Sequence, residues 1–218
     1  MKKAFILVIL ILILDQVLKF WVKLNMSLGQ ELPVLGNWFI LHFTENEGMA
    51  FGFRFGGSAG KLLLSLFRII AAAGIGYYIW YLDRKKAHPG LMICFGMIMA
   101  GAMGNIFDSA FYGLIFSQST FHHAAVLFPE GGGYGTFLHG KVVDMLYFPL
   151  INTTYPKWVP LFGGQPLQFF RPVFNVADSS ITTGVLALII FQRKFYIKKK
   201  DSAISEPEIS EDKQGDAE

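Results

Sequence analysis

Four apolar stretches dominate the chain, and its few charged side chains fall between them. The stretches cover about 4–24, 62–82, 91–112 and 173–192, each near the 20 mainly apolar residues that a bilayer-crossing helix needs. Lys2 and Lys3 precede the first run as they would in a signal peptide. However, no small-x-small cleavage site follows, and the run continues through Asp15 to Leu24, so a retained helix is expected. Between the spans, Asn37–Thr44 is aromatic and β-branched enough to predict a strand, and 48–57 is rich in Gly and Phe. Apolar runs at Val126–Phe128 and Val142–Phe148 predict a small sheet or a short surface helix, with a Gly-rich knot at Gly131–Gly135. The expected fold class is an all-α membrane protein of four transmembrane helices carrying a small β-containing external platform.

Charge adds a direction. Lys2, Lys3, Arg84, Lys85, Lys86, Arg193, Lys194 and Lys198–Lys200 all fall on one side of a four-span arrangement. The opposite segments, 25–60 and 117–172, hold only Arg54, Lys141, Lys157 and Arg171. Basic loops stay inside, so both termini are expected in the cytoplasm and both long loops outside. The net charge of +3 hides two parts: residues 201–218 hold seven acids and one base, while the remainder has 18 bases and nine acids. The tail reads as a disordered cytoplasmic extension, which leaves 1–200 as one membrane domain. Overall 16% of residues are charged, against about 25% in soluble domains, so an ordinary water-soluble core is excluded. Cys94 is the single cysteine, which excludes a disulfide scaffold. The five histidines lack the H-E-x-x-H spacing of a zinc peptidase.

Four of the nine acids outside the tail interrupt or border apolar spans: Asp15, Asp108, Asp144 and Asp178. Ionisable groups at membrane depth are costly and mark function by default. Asp15 and Lys19 are spaced i, i+4 and can pair on one helix face. Asn105 with Asp108, and Asn175 with Asp178, share an i, i+3 spacing at the outer ends of the third and fourth spans. Arg68 in the second span can snorkel outward or meet one of these acids. Two carboxylates that share a proton can hydrolyse an amide without metal, one as general base and the other polarising the carbonyl. A proton-coupled transporter also uses buried acids, and residue types alone leave both readings open. So does a non-enzymatic assembly factor that binds through the external loops.

The motifs then resemble a known family. Asp15-Gln16-x-x-Lys19, Asn46-Glu47-Gly48-Met49-Ala50-Phe51, Gly104-Asn105-x-x-Asp108, Val142-Val143-Asp144 and Phe174-Asn175-Val176-Ala177-Asp178-Ser179 together resemble the lipoprotein signal peptidases (signal peptidase II). These are four-span aspartic peptidases of the bacterial inner membrane, and the resemblance covers residues 1–195. It implies Asp144 and Asp178 as the catalytic dyad, and Asn46, Gly48, Asn105, Asp108 and Asn175 as substrate-binding residues. Asp15 and Lys19 would support the pocket. The implied reaction removes the signal peptide of a prolipoprotein just before a diacylglyceryl-modified cysteine, near the periplasmic face. Lipid-modified prolipoproteins and membrane lipid are the expected partners. A monomer is expected, with no nucleic acid, metal or organic cofactor. A transporter would place its acids near the bilayer midplane, whereas Asp108, Asp144 and Asp178 lie near one outer boundary.

Two departures stand out. The family usually carries Arg directly after the aspartate of Gly-Asn-x-x-Asp, and here that residue is Ser109. Arg68 and Arg171 are the candidate replacements. The segments 109–141 and 149–172 are also extended, and they contain His122, His123 and His139, read as ordinary interface residues in preference to a metal site.

Overall fold

A computed structural model describes residues 2–47, 57–169 and 172–197. Gly48, Arg171 and the acidic tail at 201–218 lie outside the described residues. In chain order the elements are α1 (Lys2–Asn25), β1 (Glu31–Leu35), β2 (Phe39–Asn46), α2 (Gly57–Arg84) and α3 (Pro89–Phe107). A π-helical turn (Asp108–Tyr112) and a short α4 (Gly113–Ile115) extend α3. They are followed by β3 (Val142–Tyr147), β4 (Ile151–Thr154), β5 (Pro166–Phe169), β6 (Val173–Phe174) and α5 (Val176–Ile197).

Three helical segments, Lys2–Asn25, Gly57–Arg84 and Pro89–Ile115, are long and apolar enough to cross a membrane. The fourth expected span begins later than its apolar run. Val173 and Phe174 are strand residues, and Asn175 accepts the amide of Asp178 at 2.8 Å, so the helix opens only at Val176. An asparagine side chain bonded to the third helical N–H is a strong start signal, and here it outweighs the hydropathy of the preceding two residues.

The helices pack closely where glycine permits. A Cβ on Gly101 of α3 would lie 2.2 Å from the Ala177 carbonyl of α5, and one on Gly104 would lie 2.7 Å from Asp15 Oδ2 and 3.2 Å from Ala177 Cβ. Small residues let helix backbones approach within a membrane, where packing rather than water exclusion drives association. Those two positions bring α1, α3 and α5 together at the level of the polar residues. At the start of α3, Pro89 follows His88, whose Nδ1 accepts the Gly90 amide at 3.0 Å.

The expected external strands form a four-stranded antiparallel sheet in the order β1-β2-β3-β6. The prediction over 37–44 falls on β2, and the run at 142–148 falls on β3. The pairing Thr44 with Asp144 follows a register shift after Leu41 with Leu146; such a bulge turns a strand locally. β4 and β5 form a separate hairpin, and its turn displays Trp158 and Leu161 outward, 81% and 90% exposed. Val22 of α1 and Met26 just beyond it, Phe43 of β2, Val143 and Met145 of β3, and Tyr112 and Phe116 beyond α3 form one buried cluster. Alternation along β3 sends Val143 and Met145 into this core and turns Asp144 the other way.

Candidate active site

Asp144 and Asp178 reach the site from different elements, the middle of β3 and the first turn of α5. Asp144 is buried, and Asp178 is half-buried. Asp144 Oδ1 accepts from Asn175 Nδ2 at 2.7 Å, and its Oδ2 accepts from Asn46 Nδ2. Asp178 Oδ1 accepts from Asn105 Nδ2 at 2.8 Å. The two amides are themselves linked, since Asn175 Nδ2 also lies 3.2 Å from Asn105 Oδ1. Each acid is therefore held by at least one neutral amide, and one side chain, Asn175, both holds Asp144 and caps the helix that carries Asp178.

Burial is the first cause that moves Asp144, because a charged carboxylate loses its hydration there; the neighbouring Asp178 charge adds to it. Together they push the Asp144 carboxyl up to about 8, although Lys19 and the two asparagine amides oppose the change.

Behind this layer lies a buried ionic network. Lys19 Nζ meets Asp15 Oδ2 at 2.9 Å, Asp108 Oδ2 at 2.8 Å and Asn105 Oδ1 at 3.0 Å, so its three donors are all used. Gln16 Nε2 donates to Asp108 Oδ1 at 3.0 Å and to Asp15 Oδ2 at 3.1 Å, and its Oε1 accepts from Tyr112 OH at 3.1 Å. Asp108 Oδ2 also accepts the Val143 amide at 3.3 Å, adjacent to Asp144. Removing one member of such a buried set costs about 3–5 kcal/mol, because it strands an uncompensated charge.

The structure thus brings together Asn46, Asn105, Asn175, Asp144 and Asp178 as one layer, with Asp15, Lys19 and Asp108 supporting it from within. The place of Asp108 differs from the substrate-facing one suggested by the resemblance: it is fully buried, with both oxygens bonded to protein. Gly48 lies outside the described residues. Ser109 is buried and donates to the Asn105 carbonyl at 3.0 Å. His139 Nε2 pairs with Ser58 Oγ at 3.0 Å, while the backbone amides of His122 and His123 donate to Thr120 Oγ1.

Sequence reasoning left a second buried cluster unassigned. Lys23 of α1 donates to Glu45 of β2 and to Ser119 Oγ at 2.9 Å, and Ser119 donates to Glu45 at 2.9 Å. Lys141 approaches the other Glu45 oxygen at 3.5 Å. Glu45 precedes Asn46, so this cluster anchors the strand end that holds Asp144. The usable signal was Lys23, the next i, i+4 position after Asp15 and Lys19 on α1.

Helices able to cross a membrane, joined to a small sheet whose Asp144 shares the Asn175 side chain with the helix start that carries Asp178, define an integral membrane protein. The signal peptidase (SPase) II family model matches residues 7–194, and the chain belongs to that family. It is 51% identical over 185 residues to a lipoprotein signal peptidase of Porphyromonas gingivalis, covering 84% of this chain and 80% of the relative. A lipoprotein signal peptidase of Amoebophilus asiaticus is 39% identical over 212 residues, covering 96% and 85%. The fold is similar to that of a solved bacterial membrane enzyme, with a TM-score of 0.58 and 22% identity over 92% of this chain and 93% of the other.

Proposed function

We propose that this chain is a membrane-embedded aspartic endopeptidase that removes the signal peptide from diacylglyceryl-modified bacterial prolipoproteins, cutting before the lipidated cysteine. The observation that carries the reading is the placement of Asp144 and Asp178, each held by asparagine amides, within a chain of the signal peptidase II family. In this mechanism Asp178 is ionised and takes a proton from water, and the water oxygen attacks the scissile carbonyl carbon. Protonated Asp144 donates to the carbonyl oxygen. The tetrahedral intermediate then collapses: the proton held by Asp178 passes to the departing amine, the C–N bond breaks, and Asp144 takes back its proton from the hydroxyl that re-forms the carbonyl. The greater burial of Asp144 supports its role as proton holder. Asn46, Gly48, Asn105 and Asn175 bind the peptide backbone, while Asp108, Asp15 and Lys19 keep the amides and the start of α5 in place.

The same reading makes α5 the fourth span, with both termini in the cytoplasm and the site near the periplasmic face of the inner membrane. Residues 1–200 are the peptidase domain, acting as a monomer without metal, and 201–218 are a cytoplasmic tail. The lipid on the substrate keeps it in the bilayer, which accounts for carboxylates at a membrane boundary. Family membership favours a peptidase over a proton-coupled transporter. The test is prolipoprotein processing by Asp144→Asn and Asp178→Asn in a strain lacking its own peptidase. Each change is expected to lower cleavage by about 10³-fold or more while membrane insertion persists. Normal cleavage by either variant overturns the dyad.

A further inference from the structure

The extended segment 109–141 reaches the site through a buried ionic cluster at the C-terminal end of α1. Ser119 is 2% exposed and bonds both members of an ion pair. Lys23 Nζ donates to its Oγ at 2.9 Å, and the Ser119 hydroxyl donates to Glu45 Oε1 at 2.9 Å. Lys23 also donates directly to Glu45 Oε1, and neither side chain of that pair is more than 2% exposed. The same segment holds Lys23 at two further points. The Ala125 amide donates to the Lys23 carbonyl at 3.0 Å, and Lys23 Nζ lies 5.1 Å from the centre of the Tyr134 ring. The Tyr134 hydroxyl in turn accepts the Lys141 amide at 2.6 Å, one residue before β3 begins.

Glu45 carries this restraint to the carboxylates. Successive side chains of β2 point to opposite faces, so Glu45 enters the interior on the face of Phe43, while Asn46 turns the other way and donates to Asp144 Oδ2. Asn46 is the last residue of β2, and strand ends fray when ladder bonds alone hold them. A buried ion pair gains little net stability, so its effect at the preceding residue is geometric. Every link from Ser119 through Lys23, Glu45 and Asn46 to Asp144 is a hydrogen bond, an ion pair or a peptide bond.

We propose that Lys23, Glu45 and Ser119 are positioning residues for Asp144: the extended segment closes over the ion pair, and the pair sets the Asn46 amide against the carboxylate. The proposal rests on the dyad assignment and gives segment 109–141 a part in it. Outside the cluster, the charged groups acting on Asp144 are Asp178 on α5, Lys19 on α1 and Arg68 on α2. Those acting on the cluster are Lys141 and Tyr134 ahead of β3, Asp108 on the π turn and Glu47 after β2. The variants that test the cluster leave all of these unchanged.

Cleavage of a lipid-modified prolipoprotein by the full chain in lipid nanodiscs, followed to alkaline pH, tests this. An amide donating to Asp144 favours its ionised form, so loss of the Asn46 bond moves the alkaline limb of kcat to higher pH. Lys23→Met combined with Glu45→Gln removes both charges together, which strands neither partner and leaves the net field at Asp144 nearly unaltered. The expected displacement is about half to one pH unit upward, within the worth of one hydrogen bond to a charged group. Ser119→Ala alters no charge, is the milder change for folding, and should move the limb in the same direction. Added to Asn46→Ala, neither change should move it further, because the amide they act through is gone. A limb that stays in place in either folded variant, with activity or Tm merely lowered, overturns the proposal and leaves the cluster structural. A displacement that adds in full to that of Asn46→Ala overturns it too. Asp144→Asn, measured alongside, separates the two readings. If it still cleaves, the dyad itself falls. If it is inactive and the limb is unmoved in the cluster variants, only the positioning role falls.

Discussion

Asp15 Oδ1 accepts the backbone N–H of Ala177 at 2.9 Å, joining residues 162 positions apart. The bond places a carboxylate of α1 at the first turn of α5, where unpaired amides and the positive end of the helix dipole favour an anion. The next amide along, that of Asp178, is taken by Asn175 Oδ1. Two side chains from different parts of the chain therefore set where α5 begins and how it presents Asp178.

Asp15→Ala should consequently weaken both fold and catalysis. It leaves the Ala177 amide without its acceptor and removes one of the three partners of Lys19. The expected loss is about 3–5 kcal/mol, the range for breaking a buried ionic set by removing one partner. It is read as a lower Tm in detergent, together with a fall in kcat as Asp178 loses its placement. An unchanged Tm would sink the capping role.

The state of Asp144 predicts a pH limit on activity. Its carboxyl is pushed up to about 8 by burial and by Asp178, so the proton needed to polarise the scissile carbonyl is held below that pH and lost above it. Cleavage should fall on the alkaline side with a midpoint near that value. Asn46→Ala removes an amide that favours the ionised form, so it should move the midpoint to higher pH. A flat alkaline profile would count against Asp144 as the proton holder.

Ser109 is expected to resist enlargement. If the pocket kept the usual family geometry, restoring Arg would be tolerated. Instead, its side chain is 1% exposed and bonded to the Asn105 carbonyl, and its own carbonyl accepts the Gly140 amide at 2.8 Å. Ser109→Arg should cost about 1–3 kcal/mol through overpacking and lower the Tm accordingly. A Tm equal to that of the unaltered protein would show that space for a guanidinium exists beside Asp108.

Much of this architecture was legible in the amino-acid order. Long apolar runs mark the helices because hydropathy is a local property, and the aromatic and β-branched residues of 37–44 mark β2 for the same reason, whereas the apolar run at 142–148 left sheet and surface helix open. The scarcity of charge made each acid near a span conspicuous, and four of those acids meet around the site. The α5 boundary was misplaced by three residues because Val173 and Phe174 are as apolar as a helix core, and only a through-space cap distinguishes them.

What the order of residues determined by itself was the set of apolar segments, a strand over 37–44 and the acids worth attention. Tertiary structure decided which of those acids meet. Asp144 reaches the site through strand register and Asp178 through a helix start, while Asp108 is turned inward onto Lys19, Gln16 and the Val143 amide. Those outcomes depend on the close approach of α1, α3 and α5 at Gly101 and Gly104. A carboxylate's role depends on the charges and amides within a few ångströms of it, and residues distant along the chain supply most of them.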